Sequence, residues 1–121
     1  LISKKRLIFS WYEKRLKNIE GIDLNKETSW AKSIYWMSSF VMRKNFGVSR
    51  DELIKRLKIN GIDTRPVFPT ISKYPMWYSE KKNENAHEIS QNGINLPSGH
   101  NLSEDHVDHI CNILVKQLGY N

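Results

Sequence analysis

The chain has 121 residues, 39% of them hydrophobic and 26% charged, enough for one globular domain with a single core and too few for two. No apolar run approaches the roughly 20 residues of a membrane-spanning helix, and a single cysteine, Cys111, excludes an internal disulfide. A formal net charge of +6 favours anionic partners: nucleic acid, phosphorylated metabolites or acidic protein surfaces.

Residues 1–20 predict an amphipathic helix, with Ile8, Trp11, Tyr12, Leu16 and Ile19 at three- and four-residue spacing and Gly21 as its stop. Ser3 is its only candidate cap, and Lys4, Lys5 and Arg6 follow at the positive end of the helix dipole, where acidic residues are favoured. That start predicts a helix continuing from before Leu1, with residues 1–121 a single domain at the C-terminal end of a larger protein. Lys14, Arg15 and Lys17 extend the basic cluster. A solvated helix face is the expected reading of it, and a small basic nucleic-acid-binding module is the alternative.

Residues 22–32 read as a polar connection. Residues 33–42, rich in aromatic and β-branched types, predict a strand covered on at least one face. Ser49-Arg50-Asp51-Glu52 has the form of a capping box, with Ser49 as cap and Glu52 reaching back to its amide. The helix it opens runs from Arg50 to about Asn60, buries Leu53, Ile54 and Leu57, and ends at Gly61.

A short apolar run from Ile62 to Phe68 follows, with Arg65 in its middle and Pro66 directly after. Proline disfavours the α region for the residue before it, so Arg65 is expected to be extended. Pro66 and Pro69 lack amide protons, which argues against a central strand. A guanidinium on a stiff strand end, leading into an aromatic and proline-rich loop over 69–83, suits presentation of one cation to an anionic ligand. Pairing with a surface carboxylate is the competing account.

A shorter helix, about Glu84 to Asn92, is expected to carry Ala86 and Ile89 inward and to stop at Gly93. Ile94-Asn95-Leu96 predicts a brief strand closed by Pro97. Ser103 with Glu104 and Asp105 marks a strong helix start, and Val107, Ile110, Cys111, Leu114 and Leu118 form its buried stripe up to Gly119. The order of elements predicts an α/β (α+β) fold: a small mixed or antiparallel sheet of about three strands with helices packed on it.

No complete active site is visible. His106 and His109 lie three apart, but no third ligand completes a zinc pattern, so a solvated face is expected and no metal is assigned. Ser72, Ser98 and Cys111 have no patterned base, and Cys111 is expected to be a buried, inert thiol. Trp11, Tyr35, Trp36, Tyr74, Trp77 and Tyr78 interleave with basic residues. Exposed, they would suit base stacking; most are expected in the core instead.

Several pieces together are more specific. Ser49-Arg50-Asp51-Glu52-Leu53-Ile54 precedes Gly61-Ile62-Asp63-Thr64-Arg65-Pro66-Val67-Phe68, then Tyr74-Pro75-Met76-Trp77, Gly93-Ile94-Asn95-Leu96-Pro97-Ser98 and Leu102-Ser103-Glu104-Asp105-His106-Val107. This order and spacing resembles the C-terminal domain of the DegT/StrS family of sugar aminotransferases, which includes perosamine synthetases. The resemblance implies the small domain of a fold type I, pyridoxal-phosphate-dependent enzyme acting on a nucleotide-linked keto-sugar, with an amino acid donor. It implies a cytoplasmic homodimer and an opening helix that continues from the large domain. Cofactor contacts and the Schiff-base lysine are expected in that large domain, so this chain supplies no catalytic residue. Arg65 is expected to meet a substrate carboxylate or phosphate. Ser72 occupies a position where many members of the family carry a histidine, and is the second expected substrate-binding residue.

Overall fold

Alternation along the strands sorts a four-stranded sheet into two faces with different jobs. The computed structural model describes residues 1–81 and 83–120. Its elements are α1 (Ile2–Leu16), β1 (Ile22–Leu24), β2 (Ser39–Met42), α2 (Arg50–Ile59), β3 (Arg65–Pro66), α3 (Glu84–Asn92), β4 (Gly93–Asn95) and α4 (Glu104–Gln117). The strands pair antiparallel in the order β1-β2-β4-β3. The α/β expectation stands, with four strands where about three were expected.

The additional strand is β1, which lies in the stretch expected to be a polar connection. Ile22 pairs with Met42 and Leu24 with Phe40, but a single apolar-polar-apolar step is too short to carry a period. The strand expected over 33–42 shrinks to its last four residues. Tyr35 interrupts it with a left-handed backbone, φ +47, uncommon for a bulky residue. Its ring stacks on Phe9 of α1, centroids 3.8 Å apart, and its amide donates to Ser33 Oγ at 3.0 Å. A contact 26 residues away in sequence, counted from Phe9 to Tyr35, therefore overrides the local strand propensity.

Ile22, Phe40, Met42 and Ile94 turn to one face and are buried beneath α1, α2 and α4. Ile8, Tyr12 and Leu16 of α1 meet the stripe of α4, whose Val107, Ile110, Cys111 and Leu114 are all buried, as expected. Each such side chain contributes about 1.5–3 kcal/mol when removed from water. Burial holds Cys111 as a thiol by pushing its pKa up to about 12. Tyr12 has the same cause acting on its phenol, and its hydroxyl donates to Pro97 O at 2.8 Å.

Helix α1 is shorter than expected, ending at Leu16 with Lys17 as C-cap. Ser49 caps α2 through the Glu52 amide at 3.2 Å, but the Glu52 carboxylate accepts from Arg56 Nε at 3.2 Å, one turn on, and does not reach back. The reciprocal cap forms at α4 instead. Ser103 Oγ accepts from the His106 amide, and His106 Nδ1 accepts from the Ser103 amide, both at 3.2 Å. His106 thus has a structural role.

Helix α3 packs on the opposite face of the sheet, close to Val41 and Val67. A Cβ on Gly93 would come within 2.5 Å of Ile89 O and 2.6 Å of Val67 Cγ2, so glycine lets α3, β4 and the residue after β3 meet. The expectation that Ala86 and Ile89 point inward is corrected: both are exposed, and Ser90 is the buried residue of α3. The helix sits at one end of the sheet and leaves part of this face open.

Candidate functional site: the edge strand and its aromatic loop

Helix α2 ends in a tight turn. Gly61 takes φ +78, and the Ile62 amide returns to Leu57 O at 2.9 Å. Ile62 and Thr64 then point inward and are buried, while Asp63 and Arg65 point out. Strand β3 lies at the sheet edge, so the missing amide of Pro66 costs no ladder bond. The Arg65 guanidinium is 73% exposed and pairs with Asp63 Oδ2 at 3.0 Å, itself 68% exposed. Arg65 is extended, as the proline step predicted, and its guanidinium pairs with a surface carboxylate, which is the competing account.

Behind Arg65, three polar residues cross the sheet in register. Arg65 faces Asn95 on β4, and Asn95 faces Ser39 on β2. Ser39 Oγ donates to Asn95 Oδ1 at 2.6 Å, and Asn95 Nδ2 donates to Pro66 O at 3.4 Å. Asn25, just after β1, accepts from the Ser39 amide through Oδ1 at 2.6 Å. This row borders a groove of about 360 Å³ on the open face, beside Val41, Val67 and Ile89. The only sequence signal for it was an asparagine between Ile94 and Leu96.

The loop after β3 is built from two 3-10 turns, Ile71–Lys73 and Pro75–Trp77. Ser72 sits half-buried in the first. Among the described residues it shares no hydrogen bond with Arg65, so the strand that carries Arg65 and the loop that carries Ser72 are not joined by one between these two residues. The expectation that most aromatics are core is corrected here. Tyr35 is buried and Trp11 half-buried, but Trp36, Tyr74, Trp77 and Tyr78 are exposed, together with Phe68, Ile71 and Met76. Trp36 stacks on Phe68 at 6.3 Å and 14°, joining this loop to the segment between β1 and β2.

That segment is clamped to α1. Arg6 holds Glu27 through both carboxylate oxygens, at 2.7 and 3.1 Å, and also donates to Ser33 O. Arg6, with the Ser33 amide, lowers the Glu27 pKa to about 2. A cleft of about 900 Å³ opens between α1 and this segment, lined by Arg6, Glu13, Lys17, Asp23 and Glu27, charges of both signs. Elsewhere on α1, Arg15 bridges to Glu104 at 2.9 Å and to Asp108, whose pKa it lowers. Lys5 donates to the carbonyls of Trp36, at 3.1 Å, and Ser98. Three of the six cations expected on a solvated face, Lys5, Arg6 and Arg15, are thus engaged within the fold, which leaves less charge for a nucleic-acid footprint.

Every described lysine is exposed or half-buried. None lies in an enclosed polar cavity of the kind a Schiff base with a carbonyl cofactor needs. The chain presents an exposed cation beside an exposed aromatic loop.

A sequence model of the DegT/DnrJ/EryC1/StrS aminotransferase family matches residues 1–115. The chain is 38% identical over 112 residues to the GDP-perosamine synthase of Escherichia coli O157:H7, covering 91% of this chain and 29% of that protein. It is 33% identical over 118 residues to the GDP-perosamine synthase of Vibrio cholerae, covering 94% and 32%. Its fold superposes on the E. coli GDP-4-keto-6-deoxy-D-mannose-3-dehydratase with bound hydrated PLP, with a TM-score of 0.79, 25% identity, and coverage of 93% and 30%. The chain spans about a third of the length of the relatives it matches.

Proposed function

Because this chain belongs to the DegT/DnrJ/EryC1/StrS aminotransferase family, we propose that it is the C-terminal domain of a pyridoxal-phosphate-dependent enzyme that transfers an amino group from an amino acid, glutamate in this reading, to a nucleotide-linked keto-sugar for polysaccharide or deoxysugar biosynthesis. The observation that carries it is the 38% identity to a GDP-perosamine synthase over 91% of the chain. That likeness also favours a GDP-linked sugar.

In this reading the parent is a cytoplasmic homodimer, and α1 runs on from a large domain that binds the cofactor. No helix among the described residues is long and apolar enough to cross a membrane. The lysines described above do not fit a Schiff-base site, so cofactor contacts are assigned outside this chain. The cofactor, when bound, acts as an electron sink at the amino-acid α-carbon. This chain contributes Arg65, whose guanidinium meets a substrate carboxylate or phosphate bidentately, and Ser72, whose hydroxyl offers one donor and two acceptor sites. Ser72 does not titrate near neutral pH, so it takes no part in proton transfer as a histidine there would. The aromatic loop supplies an apolar wall that excludes water.

The test uses the full-length protein supplied with pyridoxal phosphate, glutamate and GDP-4-keto-6-deoxymannose. Release of 2-oxoglutarate that depends on the sugar, with an amino-sugar product, supports the assignment. Loss of the sugar 3-hydroxyl in place of amination, or no reaction with any nucleotide-linked keto-sugar, overturns it.

A further inference from the structure

Strand β3 is a weak place to mount a binding residue. Only two residues, Arg65 and Pro66, are in the ladder, and Pro66 donates nothing to it. Beyond them the Val67 amide donates to Gly93 O at 3.0 Å. In an antiparallel pair the bonded positions alternate and each bonded pair exchanges its amides and carbonyls, so beyond the buried Ile62 and Thr64 the ladder holds the edge at Arg65, opposite Asn95, and at Val67. A two-residue edge of this kind frays on its own.

Asn95 stands directly opposite Arg65 and is only 8% exposed. An asparagine is a poor strand former, and burying its amide costs free energy unless both ends are satisfied. Both are. Oδ1 takes the Ser39 hydroxyl at 2.6 Å, and Nδ2 reaches Pro66 O at 3.4 Å. Ser39 is held in turn, its amide on Asn25 Oδ1 at 2.6 Å and its carbonyl on the Asn25 amide at 3.2 Å. The hydrogen bonds run unbroken from the end of β1 across β2 and β4 to the proline of β3. An apolar side chain at position 95 would bury as well and could not reach Pro66.

We propose that Asn95 is a positioning residue for Arg65: its side-chain amide ties the edge strand to the centre of the sheet and so holds the guanidinium in the direction in which substrate meets it. The inference rests on the proposed role of Arg65. Its two halves, the tie and the use made of it, are separable by experiment.

Hydrogen exchange of the full-length protein, read by mass spectrometry on peptides covering residues 61–70, tests the tie. Asn95→Ala should speed exchange of the Arg65 and Val67 amides by about tenfold or more, while peptides from α4 keep their protection. Ser39→Ala, which leaves Asn95 in place and removes its anchor, should act in the same direction and guards against a misfolded Asn95 variant. Unchanged exchange in both variants overturns the proposal. A double-mutant cycle on kcat/KM with glutamate and GDP-4-keto-6-deoxymannose tests the use. Asn95→Ala alone should cost about tenfold, chiefly in KM, because a misdirected contact loses binding. In an Arg65→Ala background the same change should cost less than about twofold. Additive losses overturn the statement that Asn95 acts through Arg65. Faster exchange with an Arg65→Ala variant of full activity leaves the tie standing and removes the substrate role of Arg65.

Discussion

Replacing Arg65 by alanine separates a structural from a functional role because the two predict different magnitudes at different readouts. The guanidinium and its partner Asp63 are 73% and 68% exposed, 3.0 Å apart and two residues apart in sequence. An ion pair that open to solvent contributes about 0–1 kcal/mol. For a domain of this size the melting temperature should then move by no more than about 4 °C. A charge-assisted contact to a substrate carboxylate or phosphate, partly removed from water in the assembled enzyme, is worth about 1.5–3 kcal/mol. That corresponds to about ten- to a hundredfold in kcat/KM. Arg65→Lys should recover only part of the loss, since an ammonium lacks the planar fork. Asp63→Ala removes the same ion pair from the other side and should leave kcat/KM near that of the parent. The assay pairs steady-state kinetics of the full-length protein with thermal unfolding of each variant. An Arg65→Ala protein that melts several degrees lower yet keeps its kcat/KM would refute the reasoning.

Three further outcomes follow from particular contacts. The folded-state pKa of Glu27 lies near 2, below the ordinary carboxylate value, because Arg6 and the Ser33 amide hold the ionised form; its stabilisation is complete above about pH 4.3 and is lost as pH falls from there towards 2. Acid titration followed by tryptophan fluorescence should show the segment carrying Trp30 and Trp36 loosening in that window, and Glu27→Gln should abolish the step. Cys111, pushed up to about 12 by burial, should resist an aromatic disulfide reagent at pH 8 and react at once in denaturant. Gly93→Ala should destabilise by about 1–3 kcal/mol through overpacking, because its Cβ would meet Ile89 O at 2.5 Å and Val67 at 2.6 Å; a lower denaturant midpoint at unchanged slope is the check.

Helices α2 and α4 were legible because their signals are local. A serine cap and an apolar stripe at helical spacing need nothing from the rest of the chain, and all five residues expected to be buried in and just after α4 are buried. The same locality explains what was missed. β1 becomes a strand by pairing with β2, and β2 is cut short by a tyrosine that stacks on Phe9. Arg15 looked like a solvated cation because Glu104 and Asp108 lie about ninety residues away. Asn95 left one local trace, an amide inside an apolar strand, but its meaning depended on which residues stand opposite.

The misreadings of burial share one location but for Trp36, which is exposed at the other side of its stack on Phe68. Ala86 and Ile89 were expected inward by helical spacing, and Tyr74, Trp77 and Tyr78 by residue type, yet all five are exposed. They fall between Phe68 and Ser90, the stretch that leaves β3 after Arg65 and returns through α3. Spacing and residue type report that a side chain is suited to burial; they are silent on whether the burying surface belongs to the same chain. Elsewhere in the described residues, pattern and burial agree well enough to build a core, so the disagreement here is not a general failure of the pattern. Isolated exposed apolar side chains are normal on a folded surface, but a run of them along one loop, Phe68, Ile71, Tyr74, Met76, Trp77 and Tyr78, marks a candidate contact face. The run begins two residues after Pro66, beside the Arg65 cation. In the proposed enzyme one surface, the large domain, covers the aromatic loop and receives Arg65 at its margin.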